Sequence, residues 1–267
     1  MPLAVCATPI GNLEDVTLRV LRELAEADLV LCEDTRRTRV LLERHAISAR
    51  LVSYHEHNEA ERTAAVLPRL VAGERVALVT DAGLPGVSDP GARLVAAALD
   101  AGVPVAVLPG ASAVETALVA SGFFAERYQF VGYLPRGTAA LAALWQELTG
   151  WPWPVVAFES PRRLPATLAS LAAALPERPV AVCRELTKKF EEIVRGSAAD
   201  VADRFSSKPR GEITLVLGAA ALPKPDEGAA IDAVGELVGA GLPRRQAANL
   251  VARLTGASRN ALYRGSL

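Results

Sequence analysis

The stretch Val79-Thr80-Asp81-Ala82-Gly83-Leu84-Pro85-Gly86-Val87-Ser88-Asp89-Pro90-Gly91 decides how this chain is read. Three glycines, two prolines and two aspartates stand between an apolar run, Val76 to Val79, and a helical pattern, Arg93 to Ala101. Glycine permits positive φ and close approach of backbone to a ligand. Proline fixes φ and holds a loop's shape without needing a donor. A rigid loop at the carboxyl end of a buried strand is where open α/β sheets bind small molecules.

On the amino-terminal side of this loop, apolar runs alternate with helical patterns. Leu3 to Ala7, Leu29 to Cys32, Leu51 to Tyr54 and Arg75 to Thr80 read as strands, and Val103 to Leu108 follows as a fifth. Asp15 is placed to cap a helix with Leu18, Leu21, Leu24 and Ala25 on its apolar face, and Asp34 to cap the next. Asp89-Pro90 is expected to supply the cap and first turn of the helix that Gly102 ends. Strands with continuous hydrophobicity alternating with helices predict a parallel sheet covered on both faces, over residues 1–110. The rhythm then changes. Strand-like segments at Gln129–Leu134, Pro154–Phe158, Val180–Arg184, Glu191–Arg195 and Glu212–Gly218 are mixed with helical patterns at 111–124, 139–148 and 161–174. They predict a second α/β domain with a mixed sheet, residues 111–222. Pro223-Lys224-Pro225-Asp226-Glu227-Gly228 is a linker by composition. Three short helices beyond it, near 230–239, 243–254 and 258–263, make a small helical C-terminal domain, residues 223–267.

A chain of 267 residues suits two domains or one large one. Its net charge of −1 means that any nucleic-acid contact must come from a local basic patch. Cys6, Cys32 and Cys183 are odd in number and far apart, which argues for a reducing cytoplasm rather than a disulfide framework. Met1 to Val5 reads as the first core strand, not as a signal peptide, and no apolar run is long enough to span a bilayer.

Several constellations can carry chemistry. Thr8-Pro9-Ile10-Gly11-Asn12-Leu13 and Pro109-Gly110-Ala111-Ser112-Ala113 follow strands and face the same sheet edge as the Asp81 loop. Ser112 is a plausible cap, and the helix start behind it offers backbone donors to a carboxylate. In Glu33-Asp34-Thr35-Arg36-Arg37-Thr38-Arg39, three arginines in the first helical turns oppose the helix dipole, which an anionic, phosphate-bearing partner explains. His55-Glu56-His57 has only His45 as a further histidine, short of the three or four ligands at fixed spacing that a metal site needs. Phe158-Glu159-Ser160-Pro161-Arg162-Arg163-Leu164 and Arg184-Glu185-Leu186-Thr187-Lys188-Lys189 each follow a strand of the second domain and suggest one polar cleft. The chain contains no G-x-x-x-x-G-K-[ST], no G-x-S-x-G and no G-x-G-x-x-G after the first strand. Those absences count against a P-loop ATPase, an α/β-hydrolase and a Rossmann dinucleotide site.

In this order, these blocks resemble the tetrapyrrole methylase superfamily, class III methyltransferases that use S-adenosylmethionine (SAM). The resemblance runs from Ala7 to Gly218. Glu33-Asp34-Thr35-Arg36, His57-Asn58-Glu59 and Glu185-Leu186-Thr187-Lys188 are similar to the branch that methylates ribose 2′-oxygens of 16S rRNA, as is the tail ending Asn260-Ala261-Leu262-Tyr263. Leu84 stands where the family usually has Thr, Gly86-Val87 where a bulkier apolar pair is common, and Ala111 where Pro is frequent. The resemblance implies two α/β domains with SAM in the cleft between them, a homodimer, and a decoding-centre cytidine of 16S rRNA within the small ribosomal subunit as substrate. It places Pro9, Asp81, Gly83, Val87, Ser112, Ala113, Phe158, Leu186, Ile213 and Thr214 around SAM.

For such a transfer, alignment of the ribose oxygen behind the S–CH3 bond contributes roughly 7–11 kcal/mol in favourable cases. A neutral hydroxyl also needs a proton acceptor. Asp34 is the first candidate for base or ribose orienter, with Lys188 stabilising the developing oxyanion. Arg36, Arg37, Arg162 and Arg163 would hold phosphates. No metal is expected. Two other readings stand beside this one: a corrin or porphyrin methyltransferase, which needs a wide apolar cleft, and a metabolite-regulated helix-turn-helix DNA-binding protein using Arg244, Arg245, Arg253, Arg259 and Arg264.

Overall fold

The computed structural model describes residues 2–123, 126–220 and 226–267. Met1, the Phe124 end of the expected 111–124 helix and the Pro223-Lys224-Pro225 part of the expected linker lie outside the described residues. The chain forms two compact units, 1–220 and 221–267.

The first sheet of the larger unit contains β1 (Leu3–Cys6), β2 (Leu29–Cys32), β3 (Leu51–Ser53), β4 (Val76–Leu78) and β5 (Val105–Leu108). They lie in the order β3-β2-β4-β1-β5, and every pair is parallel. Helices α1 (Leu18–Glu26), α2 (Thr35–Arg44), α3 (Glu59–Val71) and α4 (Ala92–Asp100) connect the strands. Alternate residues of β1 and β2 enter two different cores. Leu3, Val5, Leu29 and Leu31 pack with Tyr54, Leu70 and Leu94; Ala4, Cys6, Val30 and Cys32 pack with Val20, Leu24 and Leu42. Both faces are therefore buried, which is why these strands read as unbroken apolar runs.

Two helix starts differ from expectation. Thr17, not Asp15, caps α1, its hydroxyl accepting the N–H of Val20 at 3.2 Å, while Asp15 ends a separate 3-10 turn, Leu13–Asp15. Helix α4 begins only at Ala92, with Gly91 as its cap residue at φ 138°. Asp89 and Pro90 lie outside it, so the Asp89 carboxylate is not spent on the helix.

The second sheet contains β6 (Gln129–Tyr133), β7 (Val155–Glu159), β8 (Pro179–Arg184), β9 (Glu192–Ser197) and β10 (Ile213–Leu217), in the order β6-β7-β10-β8-β9. Only β6 and β7 are parallel, so the sheet is mixed, as the sequence predicts. Helix α5 (Ala113–Ser121) covers one face. Helices α6 (Thr138–Leu148), α7 (Leu164–Ala174) and α8 (Ala198–Arg204) cover the other, around buried Trp145, Leu164 and Leu168. Ile10, from the loop after β1, packs with Val114, Ala117, Cys183 and Leu186 against the α5 face, so the two sheets share apolar contacts.

The smaller unit holds α9 (Glu227–Gly239), α10 (Arg244–Thr255) and α11 (Arg259–Gly265) around Val234, Ala247, Val251 and Leu262. Asp226 and Ser258 cap α9 and α11, and Gly256 ends α10 at φ 75°. Among the described residues no helix is long and apolar enough to cross a membrane.

Candidate functional site

In the first sheet β1 crosses over β4 to reach β2, and β4 crosses over β1 to reach β5, so right-handed connections take the loops after these adjacent strands to opposite faces of the sheet. Such a divergence opens a crevice at the carboxyl edge. Thr8 and Gly83 pin the two loops together with reciprocal backbone bonds of 2.8 and 3.0 Å, and the Thr8 hydroxyl donates to Thr80 O at 3.0 Å. The Asp81 loop then turns through Gly83, Gly86, Ser88 and Gly91, all at positive φ. Gly91 has no alternative, because a Cβ there would sit 3.0 Å from Leu78 Cδ2 and 3.3 Å from Pro85 Cβ. Its N–H donates to Glu59 Oε1 at 3.0 Å. Buried Tyr54 in turn donates to that carboxylate oxygen at 3.2 Å. The motif around His57-Asn58-Glu59 therefore holds the loop from behind. Asn58 closes its own turn, its Oδ1 accepting the N–H of His55 at 2.8 Å.

Three carboxylates line the cleft on this side: Glu33, Asp81 and Asp89. Asp81 Oδ1 accepts the backbone N–H of Asp34 at 3.0 Å, and Arg37 Nη1 lies 3.4 Å from Oδ2. Burial raises the Asp81 carboxyl above the usual range, although the Asp34 N–H and Arg37 oppose it. Burial and then the charge of Asp81 do the same to Glu33. Asp89 is pushed up to about 7, first by burial and then by Glu33 and Asp81. Deprotonating all three concentrates negative charge, so the site favours a ligand with cationic groups.

The opposite wall comes from the second sheet. Phe158 on β7 stacks edge-on with Phe130 and Tyr133 of β6, ring centres 5.1 and 5.5 Å apart. A register shift between Phe130 and Tyr133, with Gly132 at φ 68°, turns that strand. Thr214, between Phe158 and Cys183 in the sheet, is buried and reaches the cleft floor with Ile213 and Leu186. Cys183 lies there too, its thiol pushed up to about 11 mainly by burial. The cleft holds about 770 Å³, within the range of small-molecule sites. Its walls differ: carboxylates on one, aromatic and aliphatic carbon on the other.

Nine of the ten residues expected around a cofactor line this cleft: Asp81, Gly83, Val87, Ser112, Ala113, Phe158, Leu186, Ile213 and Thr214. Pro9 does not, its neighbour Ile10 doing so instead. Ser112 stands at the α5 start but makes no side-chain cap bond; its hydroxyl donates to Glu115.

The two expected catalytic residues lie elsewhere. Asp34 caps α2, accepting the Arg36 N–H at 2.8 Å and the Arg36 guanidinium at 3.0 and 2.7 Å. Those bonds, the Arg36 side chain first, hold its carboxyl well below the usual carboxylate range. Lys188 lines a separate open groove with Gly11, Asn12 and Arg44. Its ammonium bridges Glu185 at 2.9 Å and Glu212 at 2.8 Å. Burial pulls the Lys188 ammonium down, but the bonds to Glu212 and Glu185 outweigh it and keep it charged.

Of the arginines expected to hold phosphate, Arg37 reaches the cleft. Arg36 is 86% exposed despite its bond to Asp34, and Arg162 is exposed. Arg163 is engaged inward: Nη2 donates to Leu134 O, Pro135 O and the buried Glu159 carboxylate at 3.0, 2.6 and 3.1 Å.

Glu33, Asp89, Phe130, Tyr133 and Glu212 were not among the expected site residues, yet all line the cleft. For Asp89 the signal was present in the loop but was absorbed by the helix-cap reading. For Phe130 and Tyr133 nothing in a five-residue strand distinguishes a cleft wall from a core face.

Residues 2–202 match the family described as Tetrapyrrole (Corrin/Porphyrin) Methylases, and residues 225–265 match the RsmI C-terminal HTH domain. A relative in Mesorhizobium japonicum, named ribosomal RNA small subunit methyltransferase I, is 45% identical over 265 residues, 98% of this chain and 90% of that one. A protein of the same name in Thermotoga maritima is 44% identical over 216 residues, 80% of this chain and 97% of that one. Among solved structures, the methyltransferase CobJ superposes with a TM-score of 0.62 at 20% identity, covering 82% of this chain and 94% of its own. Uroporphyrin-III C-methyl transferase from Thermus thermophilus, complexed with S-adenyl homocysteine, gives 0.57 at 23%, covering 81% and 96%.

Proposed function

The chain belongs to the tetrapyrrole methylase family, and from that membership we propose that it transfers the methyl group of SAM to the ribose 2′-oxygen of a decoding-centre cytidine in 16S rRNA, within the small ribosomal subunit. The observation that carries this reading is the identity of 44–45% to methyltransferases named for the small-subunit rRNA, against 20–23% to the corrin and porphyrin enzymes. The match of residues 225–265 to a C-terminal domain of the same branch supports it. This favours RNA over a macrocycle and over a DNA-binding regulator. We read the chain as two α/β lobes, residues 1–110 and 111–222, followed by the helical domain 223–267.

The residues present fit the donor. Asp81, Glu33 and Asp89 would hold its cationic groups, and the apolar lining at Ile10, Phe158, Leu186 and Ile213 would suit its adenine. The backbone at Ser112 and Ala113, at the start of α5, offers N–H donors to its carboxylate. When bound, the donor supplies a methyl group already activated for displacement, so the transfer needs no metal. The protein's task is to align the ribose oxygen and exclude water.

Asp34 serves this site through its backbone, giving its N–H to Asp81 while its side chain orients Arg36. Lys188 is a positioning residue that holds Glu212 at the cleft wall. Arg36, Arg37 and Arg162 would hold phosphates of the RNA, and Arg163 stiffens the loop at Leu134 and Pro135. The protein works in the cytoplasm as a homodimer. The edge position of β5 and the exposure of Val107 on it support a subunit contact there.

The test is to map 2′-O-methylation of 16S rRNA with and without this protein, and to repeat the reaction with purified protein, SAM and small ribosomal subunits. One protein-dependent 2′-O-methylcytidine is expected. An unchanged rRNA, with methyl transferred to a tetrapyrrole precursor, sinks the proposal.

A further inference from the structure

We propose that the loop after β8 presents Phe190 as a stacking platform for an unpaired base beside the target nucleotide, with Lys189 and Arg44 holding phosphates of the same strand; this rests on the rRNA reading above. The groove beside that loop begins where the cleft ends. Ile10 and Leu186 line the cleft. The residues that follow them in the chain, Gly11 and Thr187, line an open groove of about 570 Å³ with Asn12, Arg44 and Lys189. An RNA strand that delivers one ribose to the cleft carries its neighbouring nucleotides over the rim, and this groove continues the rim.

Phe190 combines the exposure of a contact residue with the fixed backbone of a buried one. It is 68% exposed, yet the loop that carries it is tied at each turn. Thr187 gives its N–H to Glu191 at 2.7 Å and its hydroxyl oxygen accepts the Asn12 N–H at 2.9 Å. Lys188 N–H donates to Glu185 O at 3.0 Å, and Glu191 N–H to Lys188 O at 3.1 Å. Glu185 and Thr187 are held in the left-handed region at φ 53° and 64°, conformations that persist only where the surroundings over-determine them. A single exposed apolar side chain is ordinary on a surface. A ring fixed in advance, flanked by cations and set at the mouth of a cleft, has the features of a single-strand binder. Every base has a π-face, and a preorganised ring loses little freedom when one stacks on it.

The charges suit a phosphate backbone. Lys188 is neutralised by Glu185 and Glu212 at 2.9 and 2.8 Å. Lys189 forms no ion pair among the described residues, and its ammonium lies 5.7 Å from the centre of the Phe190 ring. Arg44 meets Glu14 at 3.1 Å, but both side chains are exposed. Such a pair is weak, and a phosphate, which guanidinium binds bidentately, can displace the carboxylate. Glu191, the nearest acid in the chain, is turned back to the Thr187 N–H. With a net charge of −1 over the whole chain, RNA affinity depends on local patches of this kind.

The full-length protein and purified small ribosomal subunits test the assignment. Phe190→Ala should weaken subunit binding roughly 5–150-fold, with the salt dependence kept and SAM affinity by calorimetry unmoved, while Phe190→Trp restores binding. Lys189→Ala should instead reduce the slope of log affinity against log salt by about 1. A photoreactive benzoylphenylalanine in place of Phe190 should, on irradiation, label 16S rRNA at a nucleotide flanking the methylated cytidine. Affinity of Phe190→Ala within about twofold of wild type, an unmoved slope in Lys189→Ala, or label on a ribosomal protein or on a second copy of this chain each overturn the assignment. The alanine protein should match wild type in urea unfolding, since the ring is exposed; if it does not, the photolabel and Lys189→Ala decide. Wild-type protein that leaves 16S rRNA unmodified overturns the rRNA reading and this role with it, whereas methylated rRNA with an indifferent Phe190→Ala overturns the platform alone.

Discussion

The backbone N–H of Asn12 donates to the Thr187 hydroxyl oxygen at 2.9 Å, joining the loop after β1 to the loop after β8. Thr187 reaches it from a left-handed backbone, φ 64°, with its own N–H given to Glu191 at 2.7 Å. The approach is possible only because residue 11 is glycine. A Cβ there would lie 2.5 Å from Lys188 Cγ, 2.6 Å from Thr187 Oγ1 and 2.8 Å from Leu186 O. Gly11→Ala should therefore cost about 1–3 kcal/mol in urea unfolding and weaken SAM binding, because Leu186 of the cleft wall must move. Unchanged unfolding would show that the seam is loose.

Glu59 should behave as a brace for the Asp89 loop. Glu59→Ala leaves the Gly91 N–H without its partner, and losing that bond should cost about 1–3 kcal/mol. Tyr54 keeps its contact with Thr63 at 2.9 Å, so the core around it should persist. SAM affinity and methylation should fall together, because the loop carries a carboxylate of the cleft. Calorimetry and kinetics on the same preparation check this, and unchanged SAM affinity would remove the brace.

Asp81→Ala should abolish measurable SAM binding by calorimetry. It removes a cleft carboxylate and also strands the Asp34 N–H and Arg37, which it holds at 3.0 and 3.4 Å. Retained affinity would move the donor site away from this loop.

Stability of the ligand-free protein should carry a mark of Asp89. Its folded pKa of about 7 lies above the ordinary aspartate value of 3.8. The folded state thus holds this proton more tightly than the unfolded chain does. That contribution is complete below pH 3.8 and is lost as pH rises through 7. Carboxyls lowered by folding, such as Asp34 and Glu185, act in the opposite direction. The clean quantity is therefore wild type minus Asp89→Asn. Urea midpoints measured between pH 4 and 8 should show the difference shifting against wild type with rising pH, and a constant difference would contradict it.

Arg36→Ala should weaken binding to the small subunit and reduce the slope of log affinity against log salt by about 1, with SAM affinity unchanged. A slope that stays put would take Arg36 off the RNA surface.

Much of this architecture can be read from the chain because burial on both faces leaves a plain imprint. The runs Leu3–Cys6 and Leu29–Cys32 have no polar residue to spare, and they form a parallel sheet. The meeting of the Thr8 and Asp81 loops follows from their both ending adjacent strands. Boundaries are less legible. Asp89-Pro90 has the composition of a helix start, but Gly91 at φ 138° postpones the helix and turns the carboxylate to the cleft. Helix α8 was missed although Ser197 and Asp200 form a reciprocal capping box, a signal that Ser-x-x-Asp carries in sequence. The Asp34 cap was legible, being a contact within two residues, whereas the role of Lys188 was not, because whether a charged side chain faces a ligand or a neighbouring carboxylate depends on contacts such as Lys188 to Glu212, which lie far apart in sequence.

Cys183 has one more consequence. A sulfur nucleophile at the bottom of a chamber proposed for an alkylating agent would invite suicide. Burial pushes its thiol up to about 11, so the reactive anion is scarce at pH 7. On that proposal the fold could keep a small, soft, space-filling atom beside a methyl source without consuming itself.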